Sequence, residues 1–100
     1  MGDESIAVEL REGKGKEFNR KLRAAGRVPG VVYGGGKEAI AVSLDPTTLE
    51  RKIKSSHAGI NTLFDLEGSA GVAGRTVMVK ELQREPIRGT IMHADFFEID

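Results

Sequence analysis

The sequence predicts a mainly β fold of the α+β class: a six-stranded barrel, closed or nearly closed, with two short helices. Three observations carry this. Six short segments either alternate apolar and polar residues or are rich in β-branched and aromatic side chains. Two stretches have helical spacing with start or stop signals. The chain has 100 residues, enough for one core and one domain, and six strands in that length are best shielded from edge-to-edge pairing by closing on themselves. An open sheet with both helices on one face is the alternative.

Ile6, Val8 and Leu10 alternate with polar neighbours, so Ser5–Leu10 reads as a strand. Gly13 and Gly15 interrupt it. Lys16–Ala25 reads as a helix closed by Gly26. Val28–Tyr33 is a strand, with Pro29 limiting its first pairing. Gly34-Gly35-Gly36 makes a turn, and Ala39–Leu44 returns as its hairpin partner. Asp45-Pro46 places Asp at the N-cap and Pro at N1 of a second helix running to about Ser56, with Leu49 and Ile53 on its buried face. Asn61–Leu66 is a strand and Glu67–Gly74 a loop. Thr76–Glu85 and Thr90–Ile99 are strands joined across Pro86-Ile87-Arg88-Gly89. The order is β-α-β-β-α-β-β-β.

Composition narrows the function classes. The chain has no Cys, which excludes disulfides, thiolate catalysis and cysteine-held metal. No run is long and apolar enough to cross a bilayer as a helix. The start, MGDESIAVEL, has no basic region ahead of an apolar one, and the Ser or Thr of a myristoylation signal is replaced by Ile6. These features predict a cytoplasmic setting and no membrane partner.

Fifteen basic and fifteen acidic side chains balance overall, but not along the chain. Residues 1–10 sum to −3, residues 11–27 to +5 and residues 28–100 to −2. The basic block is the footprint of a phosphate-binding surface or, more plainly, a solvated helix face. On the first helix, Phe18, Leu22 and Ala25 form one stripe, while Lys16, Arg20 and Arg23 stack at i, i+4, i+7 on the other side. Stacked cations repel, which points to an anionic partner. A row of them suits RNA phosphates.

Other constellations are weaker. GVVYGGGKE has the glycines of a phosphate loop but not the spacing, and Glu38 stands where Ser or Thr belongs. The only histidines are His57 and His93, with no metal-ligand spacing, so no metal or cofactor is expected. No Ser sits in a nucleophile elbow, and no catalytic residue is expected. His93 and Asp95 share one strand face, away from Met92, Ala94 and Phe96, either as a surface polar pair or as a pair reading a sugar or base edge. Phe97 and Ile99 fall on that same face, which a bulge or a covering domain would explain. Tyr33, the only tyrosine, ends a strand before three glycines, where a ring can stack on a base or lie at the core boundary.

Several segments agree with one known pattern. Arg11 and Gly13-Lys14-Gly15, then Arg20-Lys21-Leu22-Arg23-Ala24-Ala25-Gly26, Val28-Pro29-Gly30-Val31-Val32-Tyr33-Gly34, Val79-Lys80-Glu81-Leu82-Gln83-Arg84-Glu85-Pro86 and His93-Ala94-Asp95-Phe96 together resemble the family of bacterial large-subunit ribosomal protein L-twenty-five and the general stress protein Ctc. The resemblance spans residues 5 to 99 and implies a six-stranded barrel with two or three short helices that binds 5S rRNA. Carried over position by position, it implies RNA contacts at Arg11, Lys16, Arg20, Arg23, Tyr33, Gln83, His93 and Asp95. Gly13-Lys14-Gly15 also fits the motif, so Lys14 can take the place of Lys16. Where the family often has a second hairpin Gln, this chain has Lys80.

The resemblance further implies a non-enzymatic component of the large ribosomal subunit, with 5S rRNA as partner and no small-molecule substrate. Longer members continue beyond the point where this apolar tail stops, so residues 1–100 are expected to be one RNA-binding domain, either a whole product or the first domain of a longer one. Two rival readings remain: a stress-associated RNA-binding protein only loosely ribosomal, and a protein-interaction barrel with an acidic partner.

Overall fold

The structure is a computed structural model that describes residues 4–11, 16–34, 36–68 and 71–99, with Lys16 and Lys37 described by their backbone alone. In chain order the elements are β1 (Glu4–Leu10), α1 (Lys16–Ala24), β2 (Val28–Gly34), β3 (Lys37–Leu44), α2 (Pro46–Ser55), a single 3-10 turn (Gly59–Asn61), β4 (Leu63–Gly68), β5 (Thr76–Arg84) and β6 (Ile91–Glu98). The six strands close into a barrel in the order β1-β3-β2-β6-β5-β4. The open-sheet alternative is thereby excluded.

Alternation explains the barrel. The inward residues of every strand, among them Val8, Val32, Val42, Phe64, Val77 and Phe96, are fully buried. Their outward neighbours are half-buried or exposed over most of the surface. Four pairings are antiparallel; β1 with β4 and β2 with β6 are parallel. The β1–β4 seam is tight at Gly68 (φ 112), where a Cβ would lie 2.2 Å from the Val8 carbonyl oxygen.

Helix α2 starts as its sequence prescribes. Asp45 accepts from the backbone N–H of Thr47 and Thr48 at 2.9 and 3.3 Å, and Pro46 opens the first turn. It touches both β1 and β6, which lie across the barrel from one another, so it spans one mouth and lowers Leu49 and Ile53 into the core. Two polar ties hold it there. Lys52 Nζ donates to the Ser5 carbonyl at the start of β1. Arg84 at the end of β5 forks onto the Glu50 carboxylate, with Nη2–Oε2 at 3.1 Å. That bond to Arg84 is the main reason the Glu50 carboxyl sits below its ordinary pKa.

Helix α1 packs outside the barrel against β2 and ends at Gly26 (φ 80), where the Arg27 N–H returns to the Leu22 carbonyl at 2.8 Å. Phe18 and Leu22 are only half-buried and Ala25 is exposed, so the apolar stripe is shorter and shallower than its spacing implied. Among the described residues, the core contains none from this helix.

Strand β4 begins at Leu63 rather than Asn61. The residues before it form the 3-10 turn, in which Thr62 Oγ1 bonds the Gly59 carbonyl at 2.5 Å. Met92 is not core: a register shift opposite Gln83 and Arg84 leaves it half-buried, and Ile91 fills the interior instead.

Candidate nucleic-acid interface

Strand registers place the polar residues on one outer wall. The Arg11 N–H bonds the Ala41 carbonyl at 3.0 Å. Ala41 is opposite Val31, Val31 is beside Asp95, and Asp95 is opposite Glu81. These outward positions form a row across the barrel: a guanidinium at one side, two small apolar residues as floor, and carboxylates at the other. One step along β6, His93 is directly opposite Gln83. The other way along β6, Phe97 is level with Tyr33. Arg11, Tyr33, Gln83, His93 and Asp95 therefore share a surface that β1, β2, β5 and β6 build jointly.

His93 and Asp95 are bonded to each other. His93 Nδ1 lies 3.1 Å from Asp95 Oδ1, with 27% and 28% of the two side chains exposed. Asp95 thus fixes the imidazole and leaves Nε2 unbonded among the described residues. Gln83, directly opposite His93, is exposed.

Arg11 is half-buried. Its Nη1 donates to Asn19 Oδ1 of α1 at 3.2 Å, and its buried Nε has no hydrogen-bond partner among the described residues. Arg20 and Arg23 are exposed on α1, as their spacing predicted. Lys14 lies outside the described residues, as does the side chain of Lys16. Arg27, also part of the basic block, braces the barrel instead. Its Nε and Nη2 bond Ser43 Oγ and the Ser43 carbonyl at 3.2 and 2.9 Å.

The sequence placed Phe97 on the His93 face and Lys80 at a hairpin position but gave neither a role in this wall. Phe97 stays on the His93 face, 38% exposed, with the Tyr33 ring edge-on at 5.7 Å and Lys80 Nζ 5.7 Å from its centroid. The bulge lies in β5, where Lys80 is the extra residue between the Val79–Phe96 and Glu81–Asp95 pairs. It aims the ammonium at the ring. The signal was present in the unexplained outward Phe97.

Among the described residues, no group of three or more His, Asp or Glu could hold a metal ion, and no helix is long and apolar enough to cross a membrane. What the wall offers is a cationic helix, an aromatic pair, and directional donors and acceptors over a floor of small side chains.

The sequence profile of the Ribosomal L25p family matches residues 6–96. The chain is 46% identical over 100 residues to the large ribosomal subunit protein bL25 of Geobacter metallireducens, covering 51% of that protein. It is 41% identical over 99 residues to the bL25 of Geobacter sulfurreducens and 40% identical over 100 residues to that of Syntrophotalea carbinolica, covering 50% and 48% of them. All of this chain aligns with about half the length of these relatives. With the barrel and its polar wall, the match leads to one assignment: the chain belongs to the Ribosomal L25p family.

Proposed function

We propose that this barrel is a structural, non-catalytic RNA-binding component of the large ribosomal subunit, located on the cytoplasmic ribosome, and that its partner is 5S rRNA. The observation that carries the reading is the convergence of Arg11, Tyr33, Gln83, His93 and Asp95 on one wall beside the exposed cations of α1. Affinity comes mainly from phosphates meeting Arg11, Arg20 and Arg23, with Lys14 or Lys16 completing the row. Discrimination comes from the shallow minor groove of an A-form helix, where 2′-hydroxyls and base edges are presented to His93, Asp95 and Gln83. The small floor residues Val31 and Ala41 let the RNA approach the sheet closely. Phosphates repel Asp95, so it serves by orienting His93 or by accepting from a base amino group.

The test is binding to purified 5S rRNA across a salt series. With about four phosphates met, log affinity falls against log salt with a slope of roughly −3. A flat response, or equal affinity for an unrelated duplex of the same length, would count against the reading.

A further inference from the structure

The end of the barrel spanned by α2 carries a second surface, separate from the polar wall. The tip joining β5 to β6 is held by bonds from Glu85 N to the Thr90 carbonyl (2.8 Å), Gly89 N to the Glu85 carbonyl (2.7 Å) and Arg84 Nη1 to the Gly89 carbonyl (3.0 Å). The Glu85 carboxylate accepts from the backbone N–H of Ile87 at 3.1 Å and of Arg88. Arg84 also anchors the tip's base to α2 through Glu50. A tip tied this thoroughly nonetheless presents Ile87 with 92% of its surface exposed.

On either side of the α2 N-terminus, below this tip, run two clefts of about 760 and 690 Å3 that share Pro46, Thr47, Arg88, Thr90 and Ile91. Their acids are occupied: Glu50 by Arg84, and Glu85 by two backbone amides. Arg27 is bonded to Ser43. Arg51, Lys54 and Arg88, none of them assigned to the RNA-facing row, are exposed and make no hydrogen bond or ion pair through their side chains among the described residues. The result is a firmly tied aliphatic knob above clefts lined by exposed cations, Arg88 beside Ile87 and Arg51 with Lys54 further along α2.

We infer that this end docks a protein neighbour presenting an apolar socket for Ile87 rimmed by Asp and Glu side chains. An aliphatic knob gains from leaving water only if it enters an apolar site, and a phosphate backbone offers none. The cations choose the acidic rim. The fixed tip loses little freedom on docking. The inference rests on the ribosomal reading for where the neighbour is sought: on the large subunit, beyond the RNA that the wall engages.

The experiment places the photo-cross-linking residue benzoylphenylalanine at position 87 of the full chain, assembles it into large subunits and irradiates them. The expected adduct is to a peptide of another subunit protein in which Asp or Glu flanks apolar residues. In parallel, Ile87→Ser and Arg51→Glu compete with wild type for subunits depleted of this protein. Each is expected to enter at least tenfold less well while keeping affinity for isolated 5S rRNA within twofold. An adduct to RNA, no adduct, or equal entry overturns the inference and leaves the 5S rRNA reading standing. Failure of the wild type to bind either 5S rRNA or subunits overturns both.

Discussion

Replacing Gly68 by Ala tests whether the β1–β4 seam closes the barrel as tightly as its geometry indicates. Two effects add at this position. Its φ of 112 lies where L-residues are strained, at about 1–3 kcal/mol. The new methyl would also sit 2.2 Å from the Val8 carbonyl oxygen, well inside van der Waals contact. The obstacle is backbone in a paired strand, so β1 must shift, at a further cost of about 1–3 kcal/mol by analogy with overpacked cores. The total, roughly 2–6 kcal/mol, is a large part of the stability of a domain this size. Thermal unfolding followed by circular dichroism should show a midpoint lowered by about 10 °C or more. Gly26→Ala is the internal reference: its φ is 80 but no atom lies within 4 Å of the added Cβ. Strain alone should lower its midpoint by about 4–8 °C, for about 1 kcal/mol. Equal effects of the two substitutions would refute the argument, because they would show that the seam yields to a methyl without resistance.

Asp95→Asn should weaken 5S rRNA binding by about 5- to 150-fold, for a lost bond of about 1–3 kcal/mol, with an unchanged melting temperature; tighter binding in a mobility-shift assay would reduce Asp95 to a surface acid. Arg20→Ala and Arg23→Ala should each make the salt slope shallower by somewhat under one unit without destabilising the fold, whereas Leu22→Ala, half-buried and outside the core, should cost less than the roughly 2–5 kcal/mol of a core Leu. Glu50→Gln tests the clamp on α2: the folded-state pKa of Glu50 is depressed, so its contribution is present above the unfolded carboxylate value of about 4.3 and disappears as pH falls through the lower folded value. Solvent screening limits that contribution to about 1 kcal/mol or less, so wild type and variant should differ slightly in urea midpoint at pH 7 and converge in acid.

The strands were legible in the sequence, because alternation at Ile6–Val8 or Val77–Val79 directly reflects which side faces the core. Helix α2 was legible for a similar reason: Asp45 and Pro46 are local signals with a local cause. Register was less accessible. Nothing in the spacing of β5 announces that Lys80 is an extra residue, since a bulge is settled by what the partner strand offers. The convergence of Arg11 with His93 likewise depends on the parallel pairing of β2 with β6, a contact between distant segments. The depth of α1 was overstated because helical periodicity fixes which side is apolar, not how far the helix sinks.

The two parallel seams also constrain how the molecule is made. They place residue 6 beside residue 66 and residue 32 beside residue 96. A chain emerging from its N-terminus therefore cannot complete either seam early, and the second must await β6, the final strand of the barrel. Until then Tyr33 and Arg11 have no β6 beside them. On the proposed RNA-binding reading, a product stalled before β6 would lack the assembled wall and should fail to capture RNA, so capture would itself select closed barrels.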